Sequence, residues 1–199
     1  MHMRWRNWMM AAALALPMSA MAQETAAPWT LDPSLLAASG NELLQRVPDP
    51  QVDALLLALH AAMQDDSQAQ VLCGVFDPQA DRSLQGLDAV ASQLHPVSRQ
   101  RFAGAIGDAL VAALQSPPQP YDNARAMQSL KAAGVTAALL HDGFTAGFNA
   151  PTDAPDGQWQ RCRSVRWLLD AMQSRPATER AAMTRLLLQQ GLSRLAPGA

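Results

Sequence analysis

The chain has 199 residues with a formal net charge of −2, and it contains 38 Ala and 27 Leu but only 9 Val and 1 Ile. Ala and Leu lose little side-chain freedom in a helix, whereas β-branched residues favour pleated strands. This composition excludes an all-β sandwich or barrel, and it argues against a parallel α/β sheet, whose strands are rich in Val and Ile. We therefore expect an all-α fold.

Residues 1–22 have the three regions of a secretory signal peptide. Arg4 and Arg6 precede a run of nine apolar residues (WMMAAALAL, residues 8–16), and the small residues Ala20 and Ala22 provide a cleavage site. Since roughly 20 apolar residues are needed to span a bilayer, cleavage is expected rather than a retained anchor.

Cleavage would leave an exported chain that starts at Gln23 and carries a net charge of about −4. No cysteine occurs before Cys73, which excludes lipid attachment at the mature N-terminus, so the chain is not expected to be a lipoprotein. We expect a periplasmic or secreted protein without stable membrane insertion. Nucleic acid is not an expected partner, because affinity for phosphate backbones depends on clustered Lys and Arg.

One helical domain is expected over residues 32–195, between a flexible N-terminal segment (23–31) and a frayed tail (196–199). Apolar residues at helical spacing and the positions of Pro and Gly predict about seven helices. In chain order they cover residues 33–40 with one further turn over 41–47, 50–64, 79–94, 99–115, 123–148, 159–174 and 176–190. Residues 67–76 (SQAQVLCGVF) fit either a buried helical turn or a short extended piece.

The helix ends are predicted from capping residues and glycines. Asp49, Ser98 and Asp122 are expected to cap helices, since a short polar side chain can accept a hydrogen bond from a free backbone N–H there. Gly134 is expected to interrupt a helix, and Gly191 to end the last one in a left-handed conformation. The residues expected to face the core include Leu84, Leu87, Val90, Ala91 and Leu94, and then Phe102, Ile106, Ala109, Leu110, Ala113 and Leu114.

The mature chain has two cysteines, Cys73 and Cys162. In an exported protein an even number of cysteines indicates a disulfide, and two cysteines allow one intramolecular pairing. The bridge would close a loop of about 90 residues, which the chain-entropy model values at about 4–5 kcal/mol. Free thiols or a catalytic cysteine are the alternatives, but no CxxC motif supports them.

The sequence contains no motif for catalysis, a metal or a cofactor. His60, His95 and His141 are not spaced to present two imidazole rings on one helix face, so we expect no metal site. The GxSxG, SxxK and phosphate-binding loop motifs are also absent. We therefore lean towards a protein that is not an enzyme and holds no cofactor.

Residues 141–148 (HDGFTAGF) form the first segment with a possible functional role. Gly143 and Gly147 are expected on one face of a helix, with Phe144 and Phe148 on another. Because glycine destabilises a helix by about 1 kcal/mol relative to Ala, two glycines require a reason. Either a neighbouring helix approaches closely there, or the glycines line the bottom of a pocket beside His141 that accepts a ligand or a partner segment.

Residues 159–167 (WQRCRSVRW) form the second segment with a possible functional role. Helical spacing brings Trp159, Arg163, Arg166 and Trp167 close together, and Arg166 is expected to pair with Asp170. Trp and Arg are the residues most enriched at binding hot spots, although an Arg stacked on a Trp is also an ordinary surface pair.

The expected function is that of an exported, non-enzymatic protein that binds another protein of the periplasm or cell envelope through the Trp/Arg residues. An inhibitor or immunity-type protein is one concrete form. The alternative is a small-molecule-binding protein or enzyme with a pocket near His141 and the Gly143/Gly147 face. A structural component of the envelope is a third hypothesis.

Overall fold

The computed structural model describes residues 33–75, 80, 81, 83–151, 154 and 156–193, which all belong to one compact unit. In these ranges the chain forms nine α-helices and no strand, which confirms the predicted all-α class. The helices are α1 (Pro33–Arg46), α2 (Asp49–Met63), α3 (Asp66–Gly74), α4 (Leu84–Gln93), α5 (Pro96–Gln115), α6 (Asn123–Leu140), α7 (Phe144–Phe148), α8 (Gly157–Gln173) and α9 (Ala177–Ser193).

Three predictions about the ends of the chain fall outside the described residues. They are the signal peptide (1–22), the flexible segment (23–31) and the frayed tail (196–199). Within the described ranges, no helix is long and apolar enough to cross a membrane.

One of the three predicted caps is confirmed. The Asp122 carboxylate accepts a hydrogen bond from the backbone N–H of Arg125 at 3.0 Å. Asp49 lies inside α2, which begins after Pro48, and α5 begins after His95 rather than at Ser98. Those two predictions were wrong. Proline has no backbone N–H that would need a capping partner in the first turn, so each helix begins beside its proline without a side-chain cap.

The ambiguous segment after α2 is helical as far as Gly74. Asp65 caps α3 by accepting a hydrogen bond from the backbone N–H of Gln68 at 3.0 Å. Hydrogen bonds from the Ser67 hydroxyl and from the Gln68 amide lower the pKa of Asp65. The next helix, α4, is capped by Ser83 and begins later than the predicted start at residue 79.

The predicted interruptions at Gly134 and Gly191 are wrong, because both glycines lie inside continuous helices. A methyl group added at either position would meet nothing within 4 Å, and an isolated glycine is tolerated in a helix. The chain instead breaks at Gly143, which has a φ of +86°. That left-handed conformation favours glycine, and it separates α6 from α7. Gly40 likewise lies within α1 instead of ending it.

Helix α2 packs against α5 and α9, while α6 and α8 complete the other side of the core. The main cluster of buried residues includes Met63, Met172 and Met183, none of which is exposed. The predicted disulfide is present: Cys73 of α3 is bonded to Cys162 of α8, with 5.3 Å between the Cα atoms.

Three residues of α5 that were predicted to face the core do not face it. Ile106, Leu110 and Leu114 are exposed, Leu114 by 77%. Ala109 and Ala113 are buried as predicted, together with Ala105, and the partly buried Phe102 packs against the core. The three small alanines let α5 lie close to α2. In α4, the predicted core residues Leu87 and Ala91 are also exposed. Leu94 is buried and Val90 packs against the core, as predicted, and the Leu84 side chain lies outside the described part of the chain.

A buried arginine closes the end of α1. Arg185 of α9 is only 1% exposed, and its guanidinium donates to the carbonyl oxygens of Leu44 and Val47 and to the Asp49 carboxylate. It thus supplies a cation and hydrogen-bond donors where the last carbonyl groups of a helix lack partners. This role is not predictable from local sequence patterns, because it depends on contacts between residues more than 130 positions apart.

Candidate functional site

One side of α8 presents the Trp and Arg residues singled out in the sequence. Trp159 is 45% exposed and Arg163 is exposed, while Arg166 and Trp167 are half-buried. The helix begins at Gly157, so all four residues lie within its continuous helical part, at the spacing that places them on one side.

Trp167 is the centre of this surface, because two other side chains stack on it. The imidazole ring of His141 lies parallel to the indole, with 4.6 Å between the ring centroids and 3° between the planes. The guanidinium carbon of Arg163 lies 4.9 Å from the Trp167 ring centroid, within the range of a cation–π contact. We call Trp159, Arg163, Arg166, Trp167 and His141 the Trp167 cluster.

His141 enters this cluster because α6 ends beside α8. It follows the last residue of α6, Leu140, and its backbone N–H still donates to the carbonyl of Ala137. Sequence spacing alone places His141 in a separate segment, beside Gly143 and Gly147. The structure therefore joins His141 to the Trp/Arg surface, which local spacing could not reveal.

The rim of the cluster contains two polar contacts to neighbouring helices. Arg166 donates to the Asp66 carboxylate of α3 at 2.6 Å, so the predicted Arg166–Asp170 pair is wrong. Asp170 instead lies 2.8 Å from the His60 ring nitrogen and accepts a hydrogen bond from Gln64 at 3.1 Å. The packing of α2 and α3 beside α8 places these partners within reach. Since Asp66 and Asp170 are largely exposed, each pair contributes at most about 1 kcal/mol.

The glycine-containing segment has a different geometry from the predicted one. Because α6 ends at Leu140 and Gly143 is left-handed, Gly143 and Gly147 do not lie on one face of a single helix. A methyl group on Gly147 would be 2.1 Å from the Ser164 Oγ and 2.5 Å from the Gln160 carbonyl oxygen. The face of Gly147 is thus filled by α8, as expected for a close helix–helix approach.

The two phenylalanines beside these glycines have different environments. Phe144 is buried in the main core, whereas Phe148 is 41% exposed, and their rings meet edge to face with 5.0 Å between the centroids. The carbonyl of Phe144 accepts a hydrogen bond from the Ser164 hydroxyl at 2.8 Å. These contacts fix α7 against α8, and they supply no observation in favour of a ligand pocket.

The Trp167 cluster offers groups that can contact another molecule. It combines an exposed indole, stacked cationic or ionisable groups and hydrogen-bond donors. Among the residues that the structure describes, no group of three His, Cys, Asp or Glu side chains is placed to hold a metal ion. His60, His95 and His141 belong to α2, the α4–α5 junction and the end of α6, respectively.

Comparison with protein-family models, curated proteins and solved structures finds no match for this chain. Its function is therefore inferred from the residues described above.

Proposed function

We propose that this protein is exported and acts without catalysis, by binding another protein of the periplasm or cell envelope through the Trp167 cluster. The observation that carries the proposal is the stacking of both His141 and Arg163 on the half-buried ring of Trp167. Such a surface combines the two residue types most enriched at binding hot spots, and the stacking holds the side chains before a partner arrives.

The chemistry of Arg163 indicates what the partner contributes. Its guanidinium is exposed, and it makes no ion pair with any other residue in the described ranges. A guanidinium held against a ring still presents N–H donors in a planar arrangement that matches a carboxylate. We therefore expect the partner to place an acidic side chain or its C-terminal carboxylate against Arg163, and an apolar group against the exposed part of Trp159.

Export is supported by two features. The N-terminal sequence has the regions of a signal peptide, and the Cys73–Cys162 bond is compatible with an oxidising compartment. A protein that inhibits or neutralises an envelope-active enzyme is one form that such a binding role could take.

Site-specific photo-cross-linking in the producing cells tests this function. A photoreactive residue is placed at position 156, because Asp156 is exposed, makes no side-chain cap hydrogen bond and lies one turn before Trp159, so that the Trp167 cluster itself stays intact. The control position is 125, since Arg125 is also exposed but lies at the start of α6. We expect a cross-link to a specific protein from position 156 and not from position 125. The recovered chain should start at Gln23. Equal cross-linking from both positions, or none from position 156, would overturn the proposed surface, and a chain that retains residues 1–22 would overturn the export.

A further inference from the structure

Helix α5 carries a second face, on the side away from the core, which consists of three apolar residues, two glycines and one glutamine. Its members recur at alternating spacings of three and four residues, which is the a/d pattern of a heptad repeat. They are Val97, Gln100, Gly104, Gly107, Val111 and Leu114, and all six are exposed. The core-facing residues Ala105, Ala109 and Ala113 fall at other heptad positions, so α5 is packed on one side, and along this heptad face it has no partner among the residues that the structure describes.

Unlike the isolated Gly134 and Gly191, the two glycines of the heptad face lie one turn apart on the same exposed side of one helix, and no contact with a described residue explains them. Glycine lowers helix stability relative to Ala, yet a methyl group on Gly104 or Gly107 would meet nothing within 4 Å. Small residues at the centre of a helix face allow the backbone of a second helix to approach closely. The space at these glycines is therefore available to a partner from outside the chain.

The charges beside the heptad face indicate which partner fits. Arg101 and Asp108 are exposed, and neither forms an ion pair with another residue that the structure describes. They are seven residues apart and so occupy the same e position, about 10 Å apart along the helix axis. That distance prevents them from pairing within one helix. In an antiparallel pair of identical helices the e positions of the two helices face each other, so each Arg101 would lie near the partner's Asp108.

We propose that α5 mediates the pairing of two copies of this chain, as an antiparallel two-fold helix pair. In this register, Gly104 faces the partner's Gly107 at the crossing point, and Val97 faces the partner's Leu114 at each end. The same register brings Arg101 within one turn of the partner's Asp108, and the symmetry repeats this ion pair. Self-complementarity of charge and of apolar layers favours a second copy over an unrelated protein.

The size of the face indicates a reversible dimer. A helix of 20 residues is about 30 Å long and its contact face about 10 Å wide, so the pair buries about 300 Å² on each copy. Stable interfaces bury about 800 Å² on each partner. We therefore expect dimers that form at high protein concentration and separate on dilution.

Sedimentation velocity of the disulfide-intact protein over a concentration series tests the pairing. Arg101→Asp and Asp108→Arg should each weaken dimerisation by about tenfold or more, since each places like charges opposite one another twice. Mixing the two single variants should restore dimers, because all charges in the mixed pair are complementary. The double variant, which exchanges the two charges, should dimerise like the original protein.

A matched control separates this surface from general hydrophobicity. Leu114→Asp should abolish dimerisation, whereas Leu139→Asp on α6, at a residue that is also highly exposed, should not alter it. Circular dichroism checks that each variant keeps its helix content. A wild-type protein that stays monomeric at all concentrations would overturn the proposal, as would dimers that persist in both charge variants or a mixture that fails to restore them.

Discussion

The close approach of α7 to α8 makes a quantitative prediction for Gly147→Ala. The added methyl group would lie 2.1 Å from the Ser164 Oγ and 2.5 Å from the Gln160 carbonyl oxygen. The hydroxyl can rotate away, but only by giving up its hydrogen bond to the Phe144 carbonyl. The Gln160 carbonyl belongs to the backbone of α8, so α7 itself must move outward by several tenths of an ångström.

The expected loss of stability follows from three contributions. Overpacking costs about 1–3 kcal/mol, and the lost hydrogen bond costs about 1 kcal/mol. Replacing glycine by Ala in a helix offsets about 1 kcal/mol of this. We therefore expect Gly147→Ala to lower the free energy of unfolding by about 2 kcal/mol, which corresponds to a fall in Tm of about 4–8 °C for a domain of this size.

Thermal unfolding followed by circular dichroism, with the disulfide intact, measures this effect. Gly134→Ala is the matched control, because a methyl group there meets nothing within 4 Å inside α6. In that variant the free energy of unfolding should rise by about 0.5–1 kcal/mol, so it should melt at a higher temperature than the wild type. If Gly147→Ala melts at or above the wild-type temperature, the described contact between α7 and α8 is not present in solution.

Three further predictions concern the core and the helix caps. Arg185→Met should lower the free energy of unfolding in urea by about 3 kcal/mol, because carbonyl groups at the end of α1 lose their buried donor. The control Arg46→Met, on the surface, should change the same free energy by less than about 0.5 kcal/mol. Equal effects of the two substitutions would contradict the role assigned to Arg185. Replacing both Cys73 and Cys162 by Ala should lower the free energy of unfolding by about 2–5 kcal/mol, since the bridge closes a loop between residues 89 positions apart. An unchanged urea midpoint would argue against the bridge. Asp65→Ala should lower Tm at neutral pH, because the carboxylate caps α3. Since the pKa of Asp65 is lowered in the folded protein, this stabilisation is present above the ordinary pKa of an aspartate and is lost as the pH falls through the lowered value. Asp65→Asn should keep the cap without this pH dependence, and a Tm difference between the wild type and Asp65→Ala that stays constant down to pH 2 would contradict the assignment.

The fold class was predictable because it depends on properties that are local in the sequence. The excess of Ala and Leu indicates helices, and the prolines at residues 50, 96 and 176 lie close to the first residues of three of them. The burial of α5 was not predictable in the same way. Its apolar residues extend over much of the helix circumference, so periodicity placed Ala109 in the core correctly but could not show that the adjacent Leu110 faces outward.

The candidate site was likewise predictable only in part from the sequence. The position of Trp159, Arg163, Arg166 and Trp167 on one side of a helix follows from their spacing within α8. The stacking of His141 on Trp167 depends on where α6 ends relative to α8, which is a tertiary contact. The left-handed Gly143, which sets that end, could have been suspected from the His-Asp-Gly sequence, because glycine after a short polar residue is a common turn signal.

The affinity of the partner captured from position 156 tests the proposed function most directly. We predict that Arg163→Glu weakens binding of the purified partner by at least tenfold and that Trp159→Ala weakens it as well. Both substitutions change exposed side chains, so the fold should remain intact. The control Arg125→Glu, which reverses the charge of another exposed arginine, should leave Kd within about twofold. Equal affinities for the wild type and for Arg163→Glu would contradict the proposal that the Trp167 cluster is the binding surface.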